Sequence, residues 1–209
     1  ANTTQTLRNL QGASVDSQLS VGSGTLNLVA DSDTSFAGKL SGLFSGSFNK
    51  TGEGNFTLTN NQPYRGSVSV SEGSLTLDAP NALEFAQETN IGNGATINGG
   101  GENQTFVKLT SDPNGTLTNV NDLTVNTDAA GTFTFSGTVE TTGDLNKIGV
   151  GTWVLDGSNN DFGGAINIQD GSLVVSNSGS FGSPSSINIE QTDTTLGQLE
   201  FDLAAGVEE

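Results

Sequence analysis

The chain has 209 residues, room for one large domain or two small ones, with 32% apolar residues, 29 Gly, and neither Cys nor His. Six basic residues stand against 23 acidic ones, and a formal charge of −17 argues against nucleic acid or anionic membrane surfaces, which are held through Lys and Arg. Disulfides, thiolate and ordinary zinc sites, and every nucleophile system that needs His or Cys are excluded, and no 18-residue apolar run offers a spanning helix.

The first residues, Ala1-Asn2-Thr3-Thr4-Gln5, lack the basic and apolar regions of a signal peptide, so the chain reads as a mature or excised fragment. Strand signals then follow one another. Leu26 and Leu28, and then Phe36, open the series. Phe56 and Leu58, Val68 and Val70, and Leu75 and Leu77 each alternate with polar residues, the pattern of a strand with one buried face. Ala82 to Gln87 is compatible with a short turn of helix. Phe85, Ile91, Ile97, Leu123 and Val125, and Phe133 and Phe135 continue the β texture. Trp153 and Leu155, Ile166 and Ile168, and Leu173 and Val175 repeat the earlier triplet, and Ile187 with Ile189 and Leu199 with Phe201 close the chain. Composition this rich in Gly, Ser, Thr and Asn is also that of disordered segments, but coil has no reason to keep Val, Ile, Leu and Phe in register.

The triplets belong to a duplication. Phe48-Asn49-Lys50-Thr51-Gly52-Glu53-Gly54-Asn55-Phe56-Thr57-Leu58 returns as Leu145-Asn146-Lys147-Ile148-Gly149-Val150-Gly151-Thr152-Trp153-Val154-Leu155. Tyr64 to Leu77 then matches Phe162 to Val175 after a one-residue insertion beyond Leu155, among polar turn formers. Insertions are tolerated in surface turns and not in strands, so the copies are structural units. Gly52, Gly54, Gly66 and Gly73 correspond to Gly149, Gly151, Gly164 and Gly171 and mark the turns.

Short alternating runs recurring about every 20 to 25 residues suit a β-solenoid, in which each coil seals the apolar face of the next. A sandwich, a jelly roll and a closed barrel compete with it, and a sandwich asks for longer strands and a denser core than this chain offers. About nine coils spaced roughly 4.8 Å apart would form a stack about 45 Å long.

The motif Asn-Lys-x-Gly-x-Gly-x-aromatic-x-Leu, then an Asn-rich turn, an aromatic, Gly, and Val/Ile-x-Val/Ile-x-x-Gly-x-Leu, resembles the autotransporter-associated β-strand repeat of bacterial passenger domains. Lys50 to Leu77 and Lys147 to Val175 carry it, with weaker upstream parts at Asp33 to Leu43 and Gly131 to Val139. The resemblance implies an all-β right-handed parallel β-helix over residues 1–209, a single segment of a longer passenger with repeat units near 33–84 and 131–182. It implies secretion to a Gram-negative cell surface, with the membrane barrel missing from a chain ending Ala205-Gly206-Val207-Glu208-Glu209. Phe162-Gly163-Gly164-Ala165-Ile166 also resembles a chlamydial membrane-protein motif, but it occurs once and without the Cys of that family.

Chemistry has few candidates. A Ser-Lys dyad is open by composition, yet Lys50 and Lys147 hold equivalent repeat positions, which suggests packing or a carboxylate partner. Asp31 with Asp33 and Glu200 with Asp202 could form the acid pairs of a glycosidase, with nothing to single them out. Calcium is conceivable, although Gly99-Gly100-Gly101-Glu102-Asn103 lacks the nonapeptide pattern and reads as a turn, not a phosphate cradle. Asn-x-Thr sequons at Asn2, Asn49, Asn55, Asn103 and Asn114 are expected by chance. Phe56, Trp153 and Phe162 read as core, not as ligand-binding aromatics.

No catalytic, metal or cofactor residue is therefore assigned, and no membrane insertion by this segment is expected. The expected role is a non-catalytic surface adhesin or self-associating rod, whose partner is another copy or a ligand on a host or neighbouring cell. A carbohydrate-active enzyme on the same scaffold and a segment that only assists folding and export are the alternatives.

Overall fold

The computed structural model describes residues 3–177, 181–190 and 196–202. Among these there is no helix; twenty-four strands, none longer than five residues, pair in parallel throughout. Parallel pairing of strands this short requires the chain to travel once around a closed path before it returns. It therefore winds a solenoid with three faces.

The first face has ten strands, from Thr4–Arg8 to Gln198–Phe201, so about nine coils separate its ends. The second face runs from Thr34–Phe36 through Asn55–Leu58, Ser74–Leu77, Thr96–Asn98, Thr116–Val120 and Thr138–Thr141 to Asp161–Phe162. The third is regular only from Gln104–Val107 through Leu123–Asn126, Leu145–Ile148 and Ile166–Ile168 to Ile187–Ile189, with Gln18–Ser20 and Lys39–Ser41 paired below it. Coil length varies with the turns: Phe48 sits beside Val68 twenty residues on, and Leu173 beside Leu199 twenty-six on.

Because the side-chain period of a strand is two, in-register stacking turns alternate residues into continuous inward columns. On the first face Leu26, Phe48 and Val68 form one column, and Leu28, Lys50, Val70 and Ile91 the next. The six strands expected from the two triplets are all present, at Asn55–Leu58, Ser67–Val70, Ser74–Leu77, Thr152–Leu155, Ile166–Ile168 and Ser172–Val175. The extra residue of the second copy falls in the connector between Thr152–Leu155 and Asp161–Phe162.

Three expectations change. Residues 82–87 form successive tight turns, Glu84 N–H to Asn81 O and Ala86 N–H to Leu83 O, which never extend into a helix. Phe85 is 45% exposed instead of lining a strand interior, because its coil has no third-face strand to direct it inward. Ile187 and Ile189 do form a strand but remain 41% and 54% exposed. Where the third face is irregular, side chains replace the ladder: Gln62 Oε1 accepts from Leu40 N–H at 2.6 Å and Gln104 Oε1 from Ala82 N–H at 3.1 Å.

Candidate functional surface

The duplicated motif is a corner, and its two copies turn different corners. The first carries the chain from the first face, Ser47–Thr51, to the second, Asn55–Leu58; the other carries it from the third face, Leu145–Ile148, to the first, Thr152–Leu155. Equivalent sequence thus appears on different sides of the rod. What the copies share is local chemistry.

In each, a lysine occupies an inward column. Lys50 lies between Leu28 and Val70, Lys147 between Val125 and Ile168, and both are fully buried. Lys50 Nζ donates to Gly52 O at 2.6 Å, Gly54 O at 2.5 Å and, one coil up, Glu72 O at 2.8 Å. Lys147 Nζ donates to Ile148 O at 3.0 Å, Gly149 O at 2.8 Å and, again one coil up, Asp170 O at 3.0 Å. Three donors meet three acceptors, which is the full capacity of an ammonium. Each lysine therefore staples a corner to the coil above it.

Carbonyl oxygens, rather than a carboxylate, receive these hydrogen bonds. The carboxylate of Glu72 instead accepts from Gly52 N–H at 2.8 Å. Burial pulls both ammonium groups down, Lys147 to about 8, while Asp170 pulls Lys147 back up and Glu72, Glu53 and Asp33 do so for Lys50. Gly52 and Gly149 both have φ of +80°, and a Cβ at either would lie 2.6 Å from the backbone of the coil below. The corner can be made only with Gly there.

The expected core aromatics are buried: Trp153, Phe56 and Phe162 are at most 1% exposed. Trp153 Nε1–H donates to Leu109 O at 2.9 Å and its ring meets Phe135 edge-on, with centroids 6.0 Å apart. The candidate acids do not converge. Asp31 pairs with Arg8 at 2.7 Å, Asp33 accepts from Asn55 N–H at 2.9 Å, and Glu200 and Asp202 lie exposed near the far end. Among the described residues no group of three or more carboxylates is placed to hold a metal ion. At Gly99 to Glu102 the amides are already engaged, Gly99 N–H with Thr118 O and Gly101 N–H with Asn119 O, so the loop offers no phosphate cradle.

Outward positions form ladders. Asn49 donates to Asn27 at 3.0 Å, and Asn188 to Asn167 to Asn146 at 2.7 and 2.9 Å. Of the sequon asparagines, Asn114 donates to Asn93 at 2.9 Å, Asn103 accepts from Asn121 at 2.8 Å, and Asn55 accepts from Ser74 and Thr76, both at 2.9 Å. Asn2 and the terminal Ala205 to Glu209 lie outside the described residues. Along the described flanks of the rod, small polar side chains hydrogen-bond from coil to coil.

One surface feature escaped the sequence reading. Arg65 lies with its guanidinium carbon 5.7 Å from the ring centroids of both Phe44 and Phe85, which are 59% and 45% exposed, and Leu43 beside them is 61% exposed. The available signal was Leu43-Phe44, two adjacent apolar residues that break the alternation of their neighbours.

Comparisons with known proteins fall on the same repeat units. The passenger-associated-transport-repeat family model matches residues 48–77 and 145–175, the two stapled corners with the strands that follow them. The chain is 34% identical over 167 residues to the adhesin BmaC autotransporter of Brucella suis biovar 1 (strain 1330), a match covering 78% of this chain and 5% of that protein. No solved structure matches.

Proposed function

We propose that this chain, a stretch of autotransporter passenger of the kind exported through the outer membrane to the cell surface, is a non-catalytic rod for adhesion or self-association. The observation that carries the reading is the run of outward Asn, Ser and Thr ladders along successive coils, with titratable groups scattered instead of gathered. Contacts of about one hydrogen bond each are weak singly, and repetition along a rigid rod makes them cooperative through effective concentration. Similarity to an adhesin supports this role, and the match covers only 5% of that relative, so the binding activity of the parent protein is part of the proposal. Microspheres coated with the chain should clump or adhere to host cells, reversed by excess soluble chain. Dispersed, non-adherent microspheres would contradict it, and new reducing or unsaturated ends released from a glycan panel would favour an enzyme.

The staples favour a second reading, a segment that secures stacking during export. Each lysine makes two bonds to carbonyls of its own corner and a third to the next coil, so its cage is completed only when the following coil arrives. Lys147→Met in the parent passenger should then lower the amount reaching the cell surface, and unchanged display would exclude it.

A further inference from the structure

We propose that Phe44, Arg65 and Phe85 form a homophilic contact in which two copies of the rod pair about a two-fold axis, Arg65 of each facing Glu88 of the other. This rests on the self-association reading above and names the surface that performs it.

The ridge is built on three successive coils. The parallel bridge between Gly42 and Tyr64 sets Leu43 and Phe44 beside Arg65, and Phe85 follows on the next coil. Gln87 fixes the arrangement, its Nε2 donating to Phe44 O at 2.7 Å and to Ser67 Oγ at 3.3 Å. Exposed aromatic rings around an arginine are the composition of interface hot spots, and a clustered apolar patch on an otherwise polar surface marks an interaction site.

Charge complementarity selects a second copy. Lys50 and Lys147 are sealed in carbonyl cages, Arg8 and Lys108 are paired with Asp31 and Asp128, and Lys39, exposed on the strand Lys39–Ser41, is the other cation without an ion pair among the described residues. Among the described residues Arg65 makes no ion pair although the chain carries 23 acids, so its two-pronged donor edge is free for a carboxylate. Glu88 begins the adjacent first-face strand in register with Ser67, is exposed, and likewise makes no ion pair among the described residues. An unpaired cation and an unpaired anion flanking one apolar ridge are self-complementary under a two-fold rotation, which is what an isologous interface requires.

Sedimentation velocity on the 209-residue chain tests the pairing. The wild-type chain should dimerise with rising concentration; Phe44→Ser, Arg65→Glu and Glu88→Arg should each weaken the dimer about tenfold or more. The Arg65→Glu/Glu88→Arg double variant should regain it. All three substituted side chains are exposed at the surface, and unchanged far-ultraviolet circular dichroism verifies that the variants fold. Wild-type affinity in the single variants, or no recovery in the double variant, would overturn the ridge; if such variants still clump coated microspheres, self-association stands and uses another face. A wild-type chain that neither dimerises nor clumps microspheres would end both proposals. Arg65-dependent binding of glucuronate or sialyllactose by a strictly monomeric chain would assign the ridge to an acidic saccharide and overturn the pairing.

Discussion

A lysine in a hydrophobic column is costly unless every proton finds an acceptor, and at Lys50 and Lys147 each does. Replacing Lys147 with Met keeps the volume but leaves three carbonyls without their donor. The expected loss is about 2–4 kcal/mol, read from denaturant unfolding. A stability equal to wild type would show that the cage is dispensable. Gly149→Ala should cost more than about 1 kcal/mol, since φ of +80° and the backbone of Thr127 both oppose a Cβ. Trp153→Ala should cost about 3–5 kcal/mol by opening the interior of its coil. The pH dependence follows from burial. Lys147 titrates near 8 when folded and near 10.5 when unfolded, so between those values the unfolded chain binds more protons and stability rises with pH. Melting temperature should therefore climb from pH 8 to pH 10 by more in the wild-type chain than in Lys147→Met. The reverse order would mean that the carbonyl cage outweighs desolvation.

At the level of strands and corners, the duplication is a portable turn rather than a whole coil. Its lysine, glycines and aromatic assemble the same corner whether the chain is leaving the first face or entering it. An additional Gly between the exposed Ser158 and Asn159, in the connector that already absorbed an insertion, should cost far less stability than an insertion within a strand. One residue inserted between Trp153 and Val154 should unfold the coil, because a one-residue slip drives Leu155 outward. Much of this was legible in the sequence: Phe56 with Leu58 and Trp153 with Leu155 alternate, and alternation fixes which side is buried. The lysine cage was not legible, because its partners are carbonyls of its own corner and of the following coil, and carbonyls carry no sequence signature. Nor was the outward turn of Phe85, since a hydrophobic residue shows its direction only when the strand around it is known to exist. The Arg65 ridge joins residues 44, 65 and 85 from three coils, and that proximity depends on coil lengths that vary from turn to turn.

For the molecule as a whole, parallel in-register stacking explains how a chain with only 32% apolar residues closes a core: every coil is roofed by the next, so few side chains suffice for each layer. It also explains the plain exterior, where Asn, Ser and Thr ladders satisfy one another along the rod. Stacking makes a quantitative demand on distance. The chain lacks Cys, so nitroxide labels can be placed on outward first-face positions without background: Asn27 as the fixed site, and Ser69, Thr110, Val154 and Val174 in turn. Pulsed electron–electron resonance should give separations that lengthen along this series at about 4.8 Å for every coil crossed, reaching roughly 34 Å at Val174. Distances that fold back, with Val174 nearer to Asn27 than Thr110 is, would place the strands in facing sheets and contradict the solenoid.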